Sequence, residues 1–269
     1  MNCLTAEILI KVKHFGIRIG FIYMRKIFCS LLLVFVIIFT GIEGCTRDPF
    51  IPEKAPTVPI VPIVPVEPPQ STEKTYLALG DSYTIGEGVD ASERYPTQAA
   101  AILKSQGIIF SQVQYIAQTG WTTTNLAAAI ASQKLSATYS VVTLLIGVND
   151  QYQRRDTTGY RVNFTNLLKT AVLLTGYKPK HVVVLSIPDY GITPFGAGNP
   201  TIGIQIDQFN AINKSVTLGM DIAYIDITGI SRMAANGTGL ILGAGPHFTG
   251  TEYGLWAAPL AIQLAKALK

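Results

Sequence analysis

The chain has 269 residues, 48% of them apolar and 14% charged, which is enough for one sizeable domain or two small ones. Of 21 Lys/Arg and 17 Asp/Glu, residues 1–44 hold five and two, so the remainder carries 16 against 15. That near-neutral balance gives no electrostatic footprint for nucleic acid. All three cysteines (Cys3, Cys29, Cys45) fall within the first 45 residues, which excludes disulfides, thiol catalysis and thiolate metal sites from everything after them.

In chain order, Arg25 and Lys26 precede an uninterrupted apolar run, LLLVFVIIF, at residues 31–39. A basic region followed by an apolar core is the order of a secretory signal. The apolar stretch from Ile27 to Ile42 is shorter than the roughly 20 residues a membrane span needs. Its exit, Ile42-Glu43-Gly44-Cys45, resembles a bacterial lipobox, with Glu43 as a departure; Cys45 would then be lipidated and become the mature N-terminus. The competing reading is an uncleaved N-terminal anchor. Either one puts the domain outside the inner membrane. MRKIFCSLLLVFVIIFTGIEGC is a complete signal by itself, so the true start is a choice between Met1 and Met24. The expected division is a signal peptide over 1–44, a lipidated N-terminus and linker over 45–74, and a folded domain over 75–269.

Residues 50–72, FIPEKAPTVPIVPIVPVEPPQST, are too rich in proline for helix or central sheet. Such a segment favours polyproline II, a semi-rigid spacer of ~3 Å per residue. From Thr75 onward strand and helix patterns alternate. Strands are predicted at 75–79, 113–117, 140–146, 181–187 and 222–227, with near-continuous Val, Ile and Leu that suggest burial on both faces. Helices are predicted at 94–106, 122–134, 157–175, 203–219 and 250–268, the last with a kink at Pro259. Five such units predict an α/β fold, a three-layer α/β/α sandwich around a mostly parallel five-stranded sheet. In that architecture chemistry collects beyond the carboxyl ends of the strands.

The residues that follow each predicted strand are therefore the informative ones. They are Gly80-Asp81-Ser82, then Gln118-Thr119-Gly120-Trp121-Thr122, then Gly147-Val148-Asn149-Asp150, then Pro188-Asp189-Tyr190-Gly191. A glycine-rich loop, Gly243-Ala244-Gly245-Pro246-His247, follows the fifth. A hydroxyl, two glycine amides, an amide side chain and an imidazole converging on one crevice are the parts acyl transfer needs. Each also has a plain structural reading: Ser82 and Gly120 as turn residues, Asn149 or Asp150 as a helix cap, His247 as a loop histidine. Other site types fit less well. Thr84 stands where a G-x-S-x-G elbow needs glycine, no Lys-Ser/Thr follows Gly86 or Gly88 as a phosphate loop requires, and no His/Asp/Glu cluster has metal-ligand spacing. Trp121 is a candidate wall of an acyl or sugar site, with a packing role as the alternative.

GDSYTIGEG, QTGWTT and GVND together resemble the first three blocks of the GDSL, or SGNH, hydrolases, and the likeness spans residues 75–269. The resemblance implies a flavodoxin-like hydrolase fold and a nucleophile at Ser82. It implies an oxyanion hole from the amides of Ser82 and Gly120 and the side chain of Asn149, and a base at His247. It also implies ester substrates (short acyl esters, acetylated glycans or lysophospholipids) and no metal or organic cofactor. The partners expected are such a small-molecule or glycan ester and, through the Cys45 anchor, a membrane; the expected location is the bacterial cell envelope. One block departs. The family's last block reads Asp-x-x-His, and here the position three before His247 is Ala244. Asp189 and Asp226 are the candidate stand-ins for the missing carboxylate. The departure leaves two expectations open: an esterase working with a Ser82–His247 dyad, or a surface binding module that has lost catalysis.

Overall fold

A computed structural model describes residues 73–135, 138–236 and 239–269; the leader, Met24, Cys45 and the proline-rich segment lie outside the described residues. Five strands form one all-parallel sheet: β1 (Lys74–Gly80), β2 (Phe110–Ala117), β3 (Val141–Leu145), β4 (Val182–Leu185) and β5 (Ala223–Ile225). Their order across the sheet is β2-β1-β3-β4-β5. β1 is an interior strand, with Leu79 opposite Ile116 on one side and Leu144 on the other. The chain steps from β1 outward to β2, then returns to β3 on the other flank of β1. That reversal of winding opens a crevice beyond the carboxyl ends of β1 and β3.

Burial explains which strands were easy to read. Every residue of β3 and β4 is buried, as the unbroken Val/Leu runs require of strands covered by helices on both faces. The edge strand β2 exposes Ser111, Gln112 and Gln114, and so begins three residues before the predicted 113–117.

Helices cover both faces: α1 (Ser82–Ile85), α2 (Tyr95–Ser105), α3 (Thr123–Ser132), α4 (Val148–Tyr152), α5 (Thr157–Leu174), α6 (Pro200–Gly219), α7 (Thr228–Met233) and α8 (Gly250–Leu268). α2 packs against α8, while α5 lies between α3 and α6. The five long helices match the predicted ones to within a few residues. α6 starts earlier than predicted because Pro200 occupies its first position, with Asn199 accepting the Thr201 amide at 3.0 Å as the cap; proline is a starter there, since its missing N–H would be unbonded anyway. α8 runs on through Pro259. The short helices α1, α4 and α7 were not foreseen, and two of them begin at strand ends where the candidate site lies.

Candidate active site

β1 ends at Gly80, and α1 starts two residues later at Ser82. The turn is tight: a Cβ on Gly80 would lie 2.1 Å from Thr84 Oγ1 and 2.3 Å from the Leu145 carbonyl, so only glycine lets α1 sit directly on the strand end. Asp81 caps α1, its Oδ1 accepting the Tyr83 amide at 3.1 Å. Its other oxygen is buried without a hydrogen-bond partner among the described residues. Burial, reinforced by the nearby Asp150 carboxyl, pushes Asp81 from its ordinary 3.8 up to about 8. At that value the Asp81 carboxyl is mostly protonated at pH 7. Ser82 itself is 4% exposed.

The loop after β2 carries Gly120 at φ +81, a left-handed conformation that a side chain would strain. Two consecutive residues of α4 hold this loop in place. Asn149 donates its Nδ2 to the Trp121 carbonyl at 3.0 Å. Asp150 accepts both the Thr123 amide (2.9 Å) and the Thr123 hydroxyl (2.7 Å), and burial raises its pKa. Asp150 therefore does not cap a following helix: it lies inside α4, α5 is capped by Asp156, and the Asp150 carboxylate holds the first residue of the preceding α3, whose own cap is Thr122. Asn149 has its carboxamide fixed by Trp121, with its second N–H left to point elsewhere.

His247 is carried on a short hairpin. Ile241 pairs with Phe248 in an antiparallel bridge. The Leu242 amide donates to the His247 carbonyl at 2.9 Å, and the Thr249 amide donates to the Leu240 carbonyl at 2.8 Å. Next to it, Phe248 is fully buried, its ring 5.5 Å from that of Trp256. Tyr83, one residue after Ser82, fastens this hairpin to α1. Its hydroxyl donates to the Pro246 carbonyl at 3.1 Å, and its ring meets the His247 imidazole edge-on at 5.6 Å. Burial lowers the His247 pKa, while the Glu87 carboxylate acts in the opposite direction.

These elements enclose one cavity, of about 170 Å³, lined by residues that include Ser82, Gly120, Asn149 and His247. All four residues singled out from the sequence are thus brought together, Ser82, Gly120 and Asn149 from the ends of β1, β2 and β3 and His247 from the hairpin before α8. Cys45 lies outside the described residues. The proposed carboxylate stand-ins are not at the imidazole. Asp189 pairs with Arg232 at 2.9 Å and accepts the Gly191 amide at 2.8 Å, while Asp226 accepts the Thr228 amide at 3.0 Å. Both are committed to fastening α7 and its neighbours, because carboxylates at strand ends are ready caps for the next turn.

The sequence reading missed part of the lining. Tyr152 at the end of α4, Tyr190 and Phe195 form one wall, their ring centroids 6.0–6.4 Å apart. Tyr190 is buried, its hydroxyl donating to Gln151 at 3.0 Å; Tyr152 and Phe195 are 58% and 48% exposed. Nothing in their spacing announces them. Tyr83 could have been found, since it sits inside the first motif.

Comparison with known proteins agrees with this fold. A lipase/acylhydrolase from Enterococcus faecalis superposes with a TM-score of 0.58 at 20% identity, covering 73% of this chain and 97% of the other. An acetylxylan esterase from Geobacillus stearothermophilus gives 0.55 at 16% identity, with 71% and 94% covered. A psychrotrophic esterase from Pseudoalteromonas, solved with monoethylphosphonate as inhibitor, gives 0.51 at 15%, with 73% and 99% covered. At these identities the likeness establishes the fold. No curated protein sequence matches the chain. The protein-family model described as the GDSL-like lipase/acylhydrolase family matches residues 78–253, a span that begins in β1, takes in the serine, glycine, asparagine and histidine of the cleft, and ends in α8; the chain belongs to that family.

Proposed function

We propose that the protein is a serine ester hydrolase in which Ser82 is the nucleophile and His247 the general base. The amides of Ser82 and Gly120 and the Nδ2 of Asn149 are the donors to the oxyanion. The observation that carries this reading is the shared cavity: Ser82, Gly120 and Asn149 come from the ends of β1, β2 and β3, His247 comes from the hairpin before α8, and all four line the same space. The Ser82 hydroxyl proton passes to the neutral imidazole as its oxygen bonds to the ester carbonyl carbon, and the carbonyl oxygen becomes an alkoxide held by the three donors. The imidazolium then gives that proton to the leaving alcohol as the ester C–O bond breaks. Water, deprotonated by the same imidazole, releases the acid. Burial keeps the His247 pKa low, so the free base is available at neutral pH.

Cavity size favours a short acyl group. About 170 Å³ falls below the ~300–1,000 Å³ that encloses a drug-sized ligand, so an acetyl or similarly small acyl group is buried and the alcohol half extends past the exposed Tyr152 and Phe195. This favours short acyl esters, including acetylated glycans, over long-chain lysophospholipids. The second reading, a glycan- or ligand-binding module without turnover, draws on Ala244, an exposed residue in the position of the family's usual carboxylate. An organophosphonate ester separates the two. The hydrolase gains one covalent adduct, on Ser82, visible in the intact mass and absent from Ser82→Ala. No adduct on the wild type, with an acetylated oligosaccharide bound and left intact, favours the binding module.

The leader and Cys45 support a lipid-anchored protein of the bacterial cell envelope, with the proline-rich segment as a spacer between anchor and domain. Fractionation of a Cys45→Ser variant tests this: the variant should leave the membrane fraction, and retention there would contradict lipid anchoring at Cys45.

A further inference from the structure

The aromatic wall of the cleft takes no part in making or breaking the ester bond, yet it is built to a fixed shape. Tyr152 lies three residues after Asn149 on α4, a spacing that puts both side chains on one face of the helix. The ring therefore stands at a set offset from the oxyanion donor. Beyond it the chain turns sharply: Arg154 is left-handed at φ +57, and the Arg155 amide donates to the Asp150 carbonyl at 2.9 Å. Phe195 comes from a loop folded on itself. The Gly198 amide donates to the Gly191 carbonyl at 3.1 Å, and the Thr193 hydroxyl donates to the Tyr190 carbonyl at 2.8 Å. A Cβ on Gly196 would lie 2.4 Å from that same Tyr190 carbonyl, so the loop packs too closely there for any side chain. Tyr190 joins the two parts. Its ring centroid lies 6.4 Å from that of Tyr152 and 6.0 Å from that of Phe195. Its hydroxyl bonds Gln151, which in turn donates to Gln205 of α6 at 2.7 Å.

One buried ring thus holds two exposed ones, and Tyr152 and Phe195 line the same cavity as Ser82 and His247. We infer that Tyr152 and Phe195 are the specificity residues for the alcohol half of the ester, and that the alcohol they take is a pyranose ring. This rests on the hydrolase reading above. An alkyl chain gains from being enclosed, since its driving force is the apolar area removed from water, and rings that are about half exposed cannot enclose it. A pyranose lays an apolar C–H face on an aromatic ring and turns its hydroxyls to water. Tyrosine suits such a ligand because it presents an apolar body and a polar tip. Rigidity works in the same direction: rings already fixed by packing lose little freedom when a sugar lies on them.

The test is acetate release by the whole protein from a methyl pyranoside carrying one acetyl group and from n-hexyl acetate, with kcat/KM measured for wild type, Tyr152→Leu, Phe195→Leu, the double variant and Ser82→Ala. Leucine keeps the apolar bulk and removes the flat face, and exposed positions tolerate such exchanges. Wild type should prefer the pyranoside. That preference, the ratio of the two kcat/KM values, should fall about 3- to 10-fold in each single variant and further in the double variant. A merely structural role would lower both esters alike and leave the ratio as it was. An unchanged ratio in the double variant would overturn the role of the two rings, and a wild type that prefers n-hexyl acetate would overturn the pyranose. In both cases a Ser82→Ala protein inactive on the two esters leaves the hydrolase reading standing. Equal hydrolysis by Ser82→Ala and wild type would overturn that reading and the inference with it.

Discussion

Replacing Asp81 by asparagine should change how stability depends on pH. Asp81 is fully buried and accepts one amide, and its carboxyl is raised from 3.8 to about 8. Between those values the folded chain binds a proton at this site that the unfolded chain does not. A raised carboxyl pKa contributes stability that is complete below the unfolded value and is lost as pH rises through the folded one. The loss is about 1.4 kcal/mol per pH unit within the window, so two units, from pH 5 to pH 7, cost about 3 kcal/mol. Asparagine keeps the acceptor for Tyr83 and the shape of the protonated acid but has no proton to lose. At roughly 2–4 °C per kcal/mol for a domain of this size, the Tm of Asp81→Asn relative to wild type should climb by about 5–11 °C across that interval. Differential scanning fluorimetry of both proteins at pH 5, 6 and 7 measures it. Parallel Tm curves over the interval would mean that Asp81 titrates at an ordinary carboxylate pKa.

Other expectations concern the cleft. Asn149→Ala should cut kcat by roughly 10²–10³ with little change in KM, as the loss of an oxyanion donor does; steady-state kinetics on a p-nitrophenyl ester decide, and a pure KM effect would remove Asn149 from the oxyanion site. Tyr83→Phe deletes the hydroxyl that donates to Pro246, so urea denaturation should show a loss of about 1 kcal/mol. The same variant should lower kcat, because the histidine hairpin loses its tie to α1; an unchanged kcat would show that the hairpin bonds suffice. His247 is held below its usual pKa by burial, so kcat/KM should fall on acidification with a midpoint below that of an unperturbed histidine. A midpoint above it would mean that the base is not a half-buried imidazole.

The fold was legible where burial dictates residue type. β3 and β4 are covered on both faces and read as Val/Leu runs; the long helices carry their period and caps. It was illegible where three or four residues decide the structure. α1 has four residues and α4 has five, too few for a period; α1 is positioned by Gly80 and its Asp81 cap, α4 by Gly147 at the cap position. The polar start of β2 reads as loop because an edge strand exposes it. Pro200 lies outside the predicted 203–219, although at the first helical position proline is a favoured residue. Within the site, Ser82, Gly120 and Asn149 could be chosen because parallel topology sends every strand end to one crevice, whereas His247 lies beyond α7, on the hairpin before α8, and was singled out by its glycine-rich loop. The same rule finds no carboxylate for the imidazole. Asp189 and Asp226 met the strand-end criterion and proved to be caps and an ion-pair partner. Side-chain walls such as Tyr152 and Phe195 depend on loop packing that local sequence does not encode.

The central claim is that the hydroxyl of Ser82 is the group that attacks the ester. Initial rates of p-nitrophenyl acetate hydrolysis by equal amounts of folded wild type and Ser82→Ala test it most directly. The account predicts a loss of at least about 10³-fold in kcat/KM for the variant; equal rates from the two proteins would contradict it.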